Sequence, residues 1–207
     1  MAVESPRTRS HWRRYRILYA VVAVCVAPVV ASYFAYYVLP PDRRTNFGAL
    51  IEPQRPVPSL NLRTVDGRPF QLKSLAGKWI LLTVDHGECD QSCADKLFVM
   101  RQQRLMTGKD RDRIERVWLI DDSAPLSTLV IREHEGAHFL RADAAELRAW
   151  LPAGDGAGRI ENYIYVVDPF GNLMLRWPGQ GEPGSIKRDL ARLLRASSQW
   201  IYVDRPD

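Results

Sequence analysis

Residues 17–39, ILYAVVAVCVAPVVASYFAYYVL, run for 23 positions without one charged side chain. As a helix rising about 1.5 Å per residue, the run spans roughly 34 Å, enough to cross a hydrocarbon core of about 30 Å. Tyr15, Tyr19, Tyr36 and Tyr37 lie near its ends, where amphipathic rings favour the interface. Pro28 falls mid-run, a position a spanning helix tolerates as a kink. Arg7, Arg9, Arg13, Arg14 and Arg16 precede the run, whereas Arg43 and Arg44 follow it beside Asp42. The positive-inside rule then keeps residues 1–16 in the cytoplasm as a basic tail and sends residues 40–207 across the membrane. A cleaved signal peptide is the competing reading. It would have an apolar region of about 7–15 residues and a small-x-small cleavage site, but here Tyr33, Phe34, Tyr36 and Tyr37 crowd that place. An uncleaved anchor follows, with Cys25 inside it as a small apolar residue.

The net charge of +5 resides in that tail: five arginines stand there against Glu4, leaving 24 basic and 23 acidic residues elsewhere. Nucleic-acid binding needs its basic patch on the folded part, so that class is set aside. With 46% hydrophobic and 26% charged residues, the chain is not disordered at large, and three cysteines cannot staple a disulfide scaffold.

Residues 40–58 contain five prolines and read as a semi-extended linker. From residue 59 to 197 the pattern is that of one α/β domain, with residues 198–207 as a C-terminal tail. Two short strands flank a turn at Val65-Asp66-Gly67. Continuous apolar runs at 79–84 and 116–120 read as strands covered on both faces. A helix is expected from the DHGECDQSC segment to about Arg104, another over 125–134, a short strand at 137–140, and a helix at 144–151 capped by Asp143. A hairpin at 162–177 turns on Asp168-Pro-Phe-Gly171, and a helix at 184–196 closes the chain. Repeated βα units imply a mixed central sheet with helices on both faces. Gly154, Gly156 and Gly158 precede no helix, so they fail the context of a dinucleotide loop.

In such sheets, active groups sit beyond the carboxyl ends of central strands. Cys89 and Cys93 follow the 79–84 strand at the start of a helix, where i and i+4 share a face. A Cα separation of about 6 Å suits a disulfide, and two thiolates on one face also suit a soft ion, Cu(I) or zinc. An oxidising compartment gives the pair a reason to exist. A helix N-terminus lowers a thiol pKa, whereas Asp85, Glu88 and Asp90 crowd Cys89 and oppose this. With Asp121 and Asp122 at the end of the next strand, those carboxylates would attract a cation.

An anchor, a proline-bearing linker, a ββ entry and a strand–CxxxC–helix unit resemble the SCO/SenC family of membrane-anchored thioredoxin-fold proteins. The residues that carry the likeness are Cys89 and Cys93, the Asp66-Gly67 turn before Ser74-Leu-Ala-Gly-Lys78, and Tyr165-Val-Val-Asp-Pro-Phe-Gly171. It covers roughly residues 58–197. It implies a thioredoxin-like fold and a role in cytochrome c oxidase biogenesis. There Cys89 and Cys93 would carry Cu(I) or cycle between thiol and disulfide. The partner would be an oxidase subunit or another copper or thiol assembly factor. Localisation would be the bacterial inner membrane, single-pass, with a periplasmic main domain.

The family places prolines after each cysteine, where this chain has Asp90 and Ala94. Its third copper ligand is a histidine just before the late Tyr-x-x-Asp-Pro strand, where this chain has Gly158-Arg-Ile-Glu-Asn162. The cis-proline of thioredoxins is missing there too. His86, in the cysteine loop, is the candidate replacement. His134 and His138 are four apart, but Gly136 between them argues against one helix. Two further readings stand beside copper handling: a membrane-tethered thiol–disulfide oxidoreductase in which Cys89 attacks and Cys93 resolves, and an assembly scaffold whose disulfide is inert.

Overall fold

The computed structural model describes residues 9–38, 46–154, 158–198 and 200. Residues 1–8 of the expected basic tail, residues 40–45 of the expected linker and residues 201–207 of the expected C-terminal tail lie outside them. Helix α1 (Arg9–Val38) takes in the second half of the tail as well as the apolar run. Its stretch from Tyr15 to Ala35 is long and apolar enough to cross a membrane, and none of its residues is buried. Tyr33 and Tyr37, one turn apart, stack with ring centroids 5.6 Å apart.

From Asn46 the chain forms a second unit. Its strands are β1 (Ala49–Pro56), β2 (Leu62–Thr64), β3 (Pro69–Phe70), β4 (Trp79–Asp85), β5 (Ile114–Ile120), β6 (His138–Arg141), β7 (Tyr163–Val167) and β8 (Asn172–Pro178). Its helices are α2 (Gln91–Met106), α3 (Thr128–Glu133), α4 (Ala144–Trp150) and α5 (Pro183–Ala196). All eight strands join one sheet in the order β1-β8-β7-β4-β5-β6-β2-β3. The central β4, β5 and β6 run parallel, while β7, β8 and β1 run antiparallel on one side and β2 and β3 on the other.

Alternation along β4 divides the core in two. Trp79 and Leu81 face α2 and α5, meeting Met100, Ile186, Leu190 and Leu194. Ile80, Leu82 and Val84 face the other layer, meeting Leu147 and Trp150 of α4. Each fully buried leucine stabilises the fold by about 2 kcal/mol. The expected thioredoxin-like arrangement, a mixed sheet between helical layers, is present.

Two expectations need correction. The linker expected over 40–58 is not a linker from residue 49 onward. Ala49–Pro56 is strand β1, paired with β8 across a register slip between Leu50 and Arg55. Prolines are tolerated there because β1 is an edge strand, whose outer N–H groups have no ladder to complete. The helix expected over 125–134 is confined to Thr128–Glu133. Pro125 disfavours helix before it, and Gly136, at φ 77°, turns the chain into β6. The expected tail also contributes packing, since the Trp200 ring lies 6.0 Å from that of Trp79.

One buried carboxylate holds the start of this unit to its end. Asp189 of α5 accepts hydrogen bonds from Phe47 N (3.1 Å), Gly48 N (2.8 Å) and Trp177 Nε1 (3.1 Å). Truncation would strand the two buried donors, Gly48 N and Trp177 Nε1, away from water. Asp189→Ala is therefore expected to lower unfolding free energy by on the order of 3 kcal/mol, read by urea denaturation of the full chain in detergent micelles, with Asp189→Asn losing less.

Candidate functional site

Parallel pairing sets Asp85, the last residue of β4, beside Ile120, the last of β5. The loops that follow therefore emerge side by side. One is residues 86–90 and leads into α2. The other begins with Asp121 and Asp122. Gly87 N donates to Asp122 Oδ1 at 2.9 Å. A Cβ on Gly87 would lie 2.6 Å from the Ala124 carbonyl oxygen, so this close approach admits glycine alone. Arg141 fastens the second loop from β6, donating to the carbonyl oxygens of Asp122 (2.6 Å) and Ala124 (2.8 Å).

Cys89 and Cys93 form a disulfide with a Cα separation of 5.1 Å. The expectation that both stand on the first turn of the helix is corrected. Asp90 is the N-cap, accepting from Cys93 N at 2.9 Å, and Cys89 lies just outside at φ 46°. It is the one non-glycine residue in the left-handed region among the described residues, an uncommon conformation for such a residue. The cap has a simple cause: a carboxylate at this position satisfies an otherwise orphaned helical N–H. Cys89 N in turn donates to His86 O at 3.1 Å.

The two sulfurs have unequal surroundings. Cys93 is 1% exposed and packs with Leu97, Trp118 and Ile120, whereas Cys89 is half-buried at the edge of that cluster. Of the three carboxylates expected to crowd Cys89, Asp90 is engaged in the cap and Asp85 is engaged by Lys96. Only Glu88 is left with no such engagement. Lys96 is 1% exposed and its Nζ lies 2.6 Å from Asp85 Oδ2. The same ammonium donates to the Glu161 carbonyl oxygen.

His86 is 55% exposed, and its Nδ1 faces Asp121 Oδ1 at 2.7 Å and Asp122 Oδ2 at 3.8 Å. His134 and His138 go separate ways. His134 is buried past the end of α3, with burial and nearby Arg116 lowering its pKa. His138 lies on β6 with its Nε2 3.5 Å from Glu115. The stretch in which the SCO/SenC resemblance would place a histidine forms a 3-10 turn, Ile160–Asn162. Arg159 Nε donates there to Glu161 Oε2 at 3.2 Å.

Lys96, Arg159 and Glu161 are the site residues that sequence reading missed. Lys96 had a signal: at i+3 from Cys93 it falls on the stripe that also carries Leu97 and Met100. Burial pushes the Asp85 carboxyl up to about 6, against the opposing pull of Lys96. A folded pKa raised above the unfolded one means that this group favours folding most below about 4. That contribution is lost as pH rises through about 6. A carbon-13 carboxyl NMR titration of the full chain is expected to show one aspartate with its midpoint near 6, absent in Asp85→Asn and displaced upward in Lys96→Met.

No curated protein matches the sequence. Solved structures of the same fold include yeast Sco1, 14% identical, with a TM-score of 0.56 over 74% of this chain and 100% of that one. Apo Sco1 of Thermus thermophilus is 19% identical, with a TM-score of 0.55 over 74% and 99%. Copper-bound ScoI of Arabidopsis thaliana is 16% identical, with a TM-score of 0.51 over 72% and 99%. These likenesses establish a Sco-like thioredoxin fold. The family described as transmembrane-like, thioredoxin-like, C-terminal domain matches residues 79–197, from β4 to the end of α5. A sheet with a cysteine pair at the carboxyl end of its central parallel strand, in a chain bearing an apolar N-terminal helix, accords with that description, and the chain belongs to this family of transmembrane-like, thioredoxin-like proteins.

Proposed function

We propose that this chain is a membrane-anchored assembly factor for cytochrome c oxidase whose Cys89–Cys93 pair handles copper or thiol electrons. The observation that supports it best is the unequal pair itself, one sulfur at the rim of an apolar cluster and its partner inside it. The Cα atoms lie 5.1 Å apart in the closed disulfide, and reduction would free two soft donors of the kind that suits Cu(I) as cargo. His86, three residues before Cys89 in the same loop, is the candidate replacement for the family's missing histidine, through its Nε2, because Nδ1 faces Asp121. The sequence likeness to SCO/SenC proteins and the copper-bound ScoI of the same fold favour this class of cargo.

The anchor sets the stage for that role. Residues 1–16 would lie in the cytoplasm, and the folded unit from Asn46 would face the periplasm. There it would meet the copper-bearing oxidase subunit or another copper or thiol assembly factor.

The same asymmetry favours one second reading, a thiol–disulfide oxidoreductase. The Cys89 thiolate would attack a client disulfide and release one client thiolate, which takes up a proton. Cys93 would then displace the second client thiolate and close the Cys89–Cys93 bond. The client gains two electrons and two protons, and the pair loses them.

The deciding measurement is an anaerobic Cu(I) titration of the reduced full chain in detergent micelles against a competing chelator. One ion per chain is expected, lost in Cys89→Ser/Cys93→Ser and weakened in His86→Ala. Failure to compete would remove copper handling and leave thiol exchange. A reduction potential between about −120 and −270 mV, the span of known exchange catalysts, would then support the exchange reading. A value below about −300 mV would mark an inert structural bond.

A further inference from the structure

The Asp121 side chain is 2% exposed. Among the described residues no lysine or arginine forms an ion pair with it, and its one side-chain partner is the imidazole of His86. Buried carboxylates are ordinarily paired with a cation or bound to a metal. Asp85, one strand away, follows that rule through Lys96, whereas the groups beside Asp121 are the His86 imidazole and the second carboxylate of Asp122. Donor atoms of His86, Asp121 and Asp122 all lie within 4.8 Å of one another.

We propose that His86 Nδ1, Asp121 and Asp122 form a binding site for one divalent transition-metal ion, separate from the cysteine sulfurs and open while the disulfide is closed. The separations of 2.7 Å and 3.8 Å from Nδ1 to the two carboxylates bracket the roughly 3.3 Å ligand edge of a tetrahedron with bonds of about 2.0–2.1 Å. One imidazole and two carboxylates are a borderline-to-hard donor set, suited to a divalent ion such as zinc and poorly suited to Cu(I).

The donors are held before any ion arrives. Asp122 commits Oδ1 to Gly87 N (2.9 Å) and Ala124 N (3.2 Å), which turns Oδ2 toward the imidazole. Arg141 fixes the backbone on both sides of this turn. The missing side chain at Gly87 lets the histidine loop close onto the aspartate loop. Exposure of His86 leaves a path for the ion and a position for water.

The site does not rest on the copper reading, and its test separates the two. The full chain, disulfide closed and Cys25 alkylated, is titrated with Zn²⁺ in detergent micelles by calorimetry. One ion per chain is expected. His86→Ala, at an exposed position, and the isosteric Asp121→Asn are each expected to weaken binding by at least about tenfold. Cys89→Ser/Cys93→Ser should leave the affinity unchanged. Absence of zinc uptake by the oxidised chain would overturn the proposal, as would uptake that survives both substitutions or is lost with the cysteines. Failure of the Cu(I) titration, run on the reduced chain, leaves it standing.

Discussion

The Asp85–Lys96 pair is the contact on which the site's architecture depends. A lysine ammonium removed from water must meet oxygen, or its burial would cost several kcal/mol. Lys96 meets two: the carboxylate at the end of β4 and the Glu161 carbonyl in the turn before β7. One side chain thus holds α2 to the central strand and to the turn that enters its antiparallel neighbour. Cys93 lies three residues before Lys96, so the same anchoring fixes the helical half of the disulfide. The turn at Arg159-Ile-Glu161 belongs to this arrangement, because it supplies a lysine acceptor and an Arg–Glu pair.

The parallel β4–β5 register does the remaining positioning. Two adjacent strands ending level deliver two loops to one place, and each brings different chemistry. The first carries sulfur and an imidazole, and the second carries carboxylates. Glycine at 87 permits their contact, and Arg141 from the third parallel strand keeps the second loop in place. The site is therefore a property of three neighbouring strands rather than of a single motif.

Much of this was legible in the sequence because burial leaves a strong pattern. The apolar runs at 79–84 and 116–120, the Asp143 cap and the Asp168–Gly171 turn all read correctly from local residues. Strand β1 did not, since prolines at 53 and 56 look like linker until an edge position explains them. Cys89 was drawn into the helix by its spacing, whereas the capping preference of Asp90 excludes it. Asp121 and Asp122 were visible as strand-end carboxylates. Their approach to His86 was not, because it depends on register between strands that are 35 residues apart at their first positions. Lys96 sat in plain view on an apolar stripe, and only its two oxygens make sense of it.

The outermost strands bear on how another polypeptide meets this domain. At one rim stands β1, interrupted by Pro53 and Pro56; at the other stands β3, two residues long. Neither rim offers a long row of free amides and carbonyls on which a foreign strand can be templated. Any polypeptide that binds this domain must then do so through side chains and loop surfaces rather than by extending the sheet.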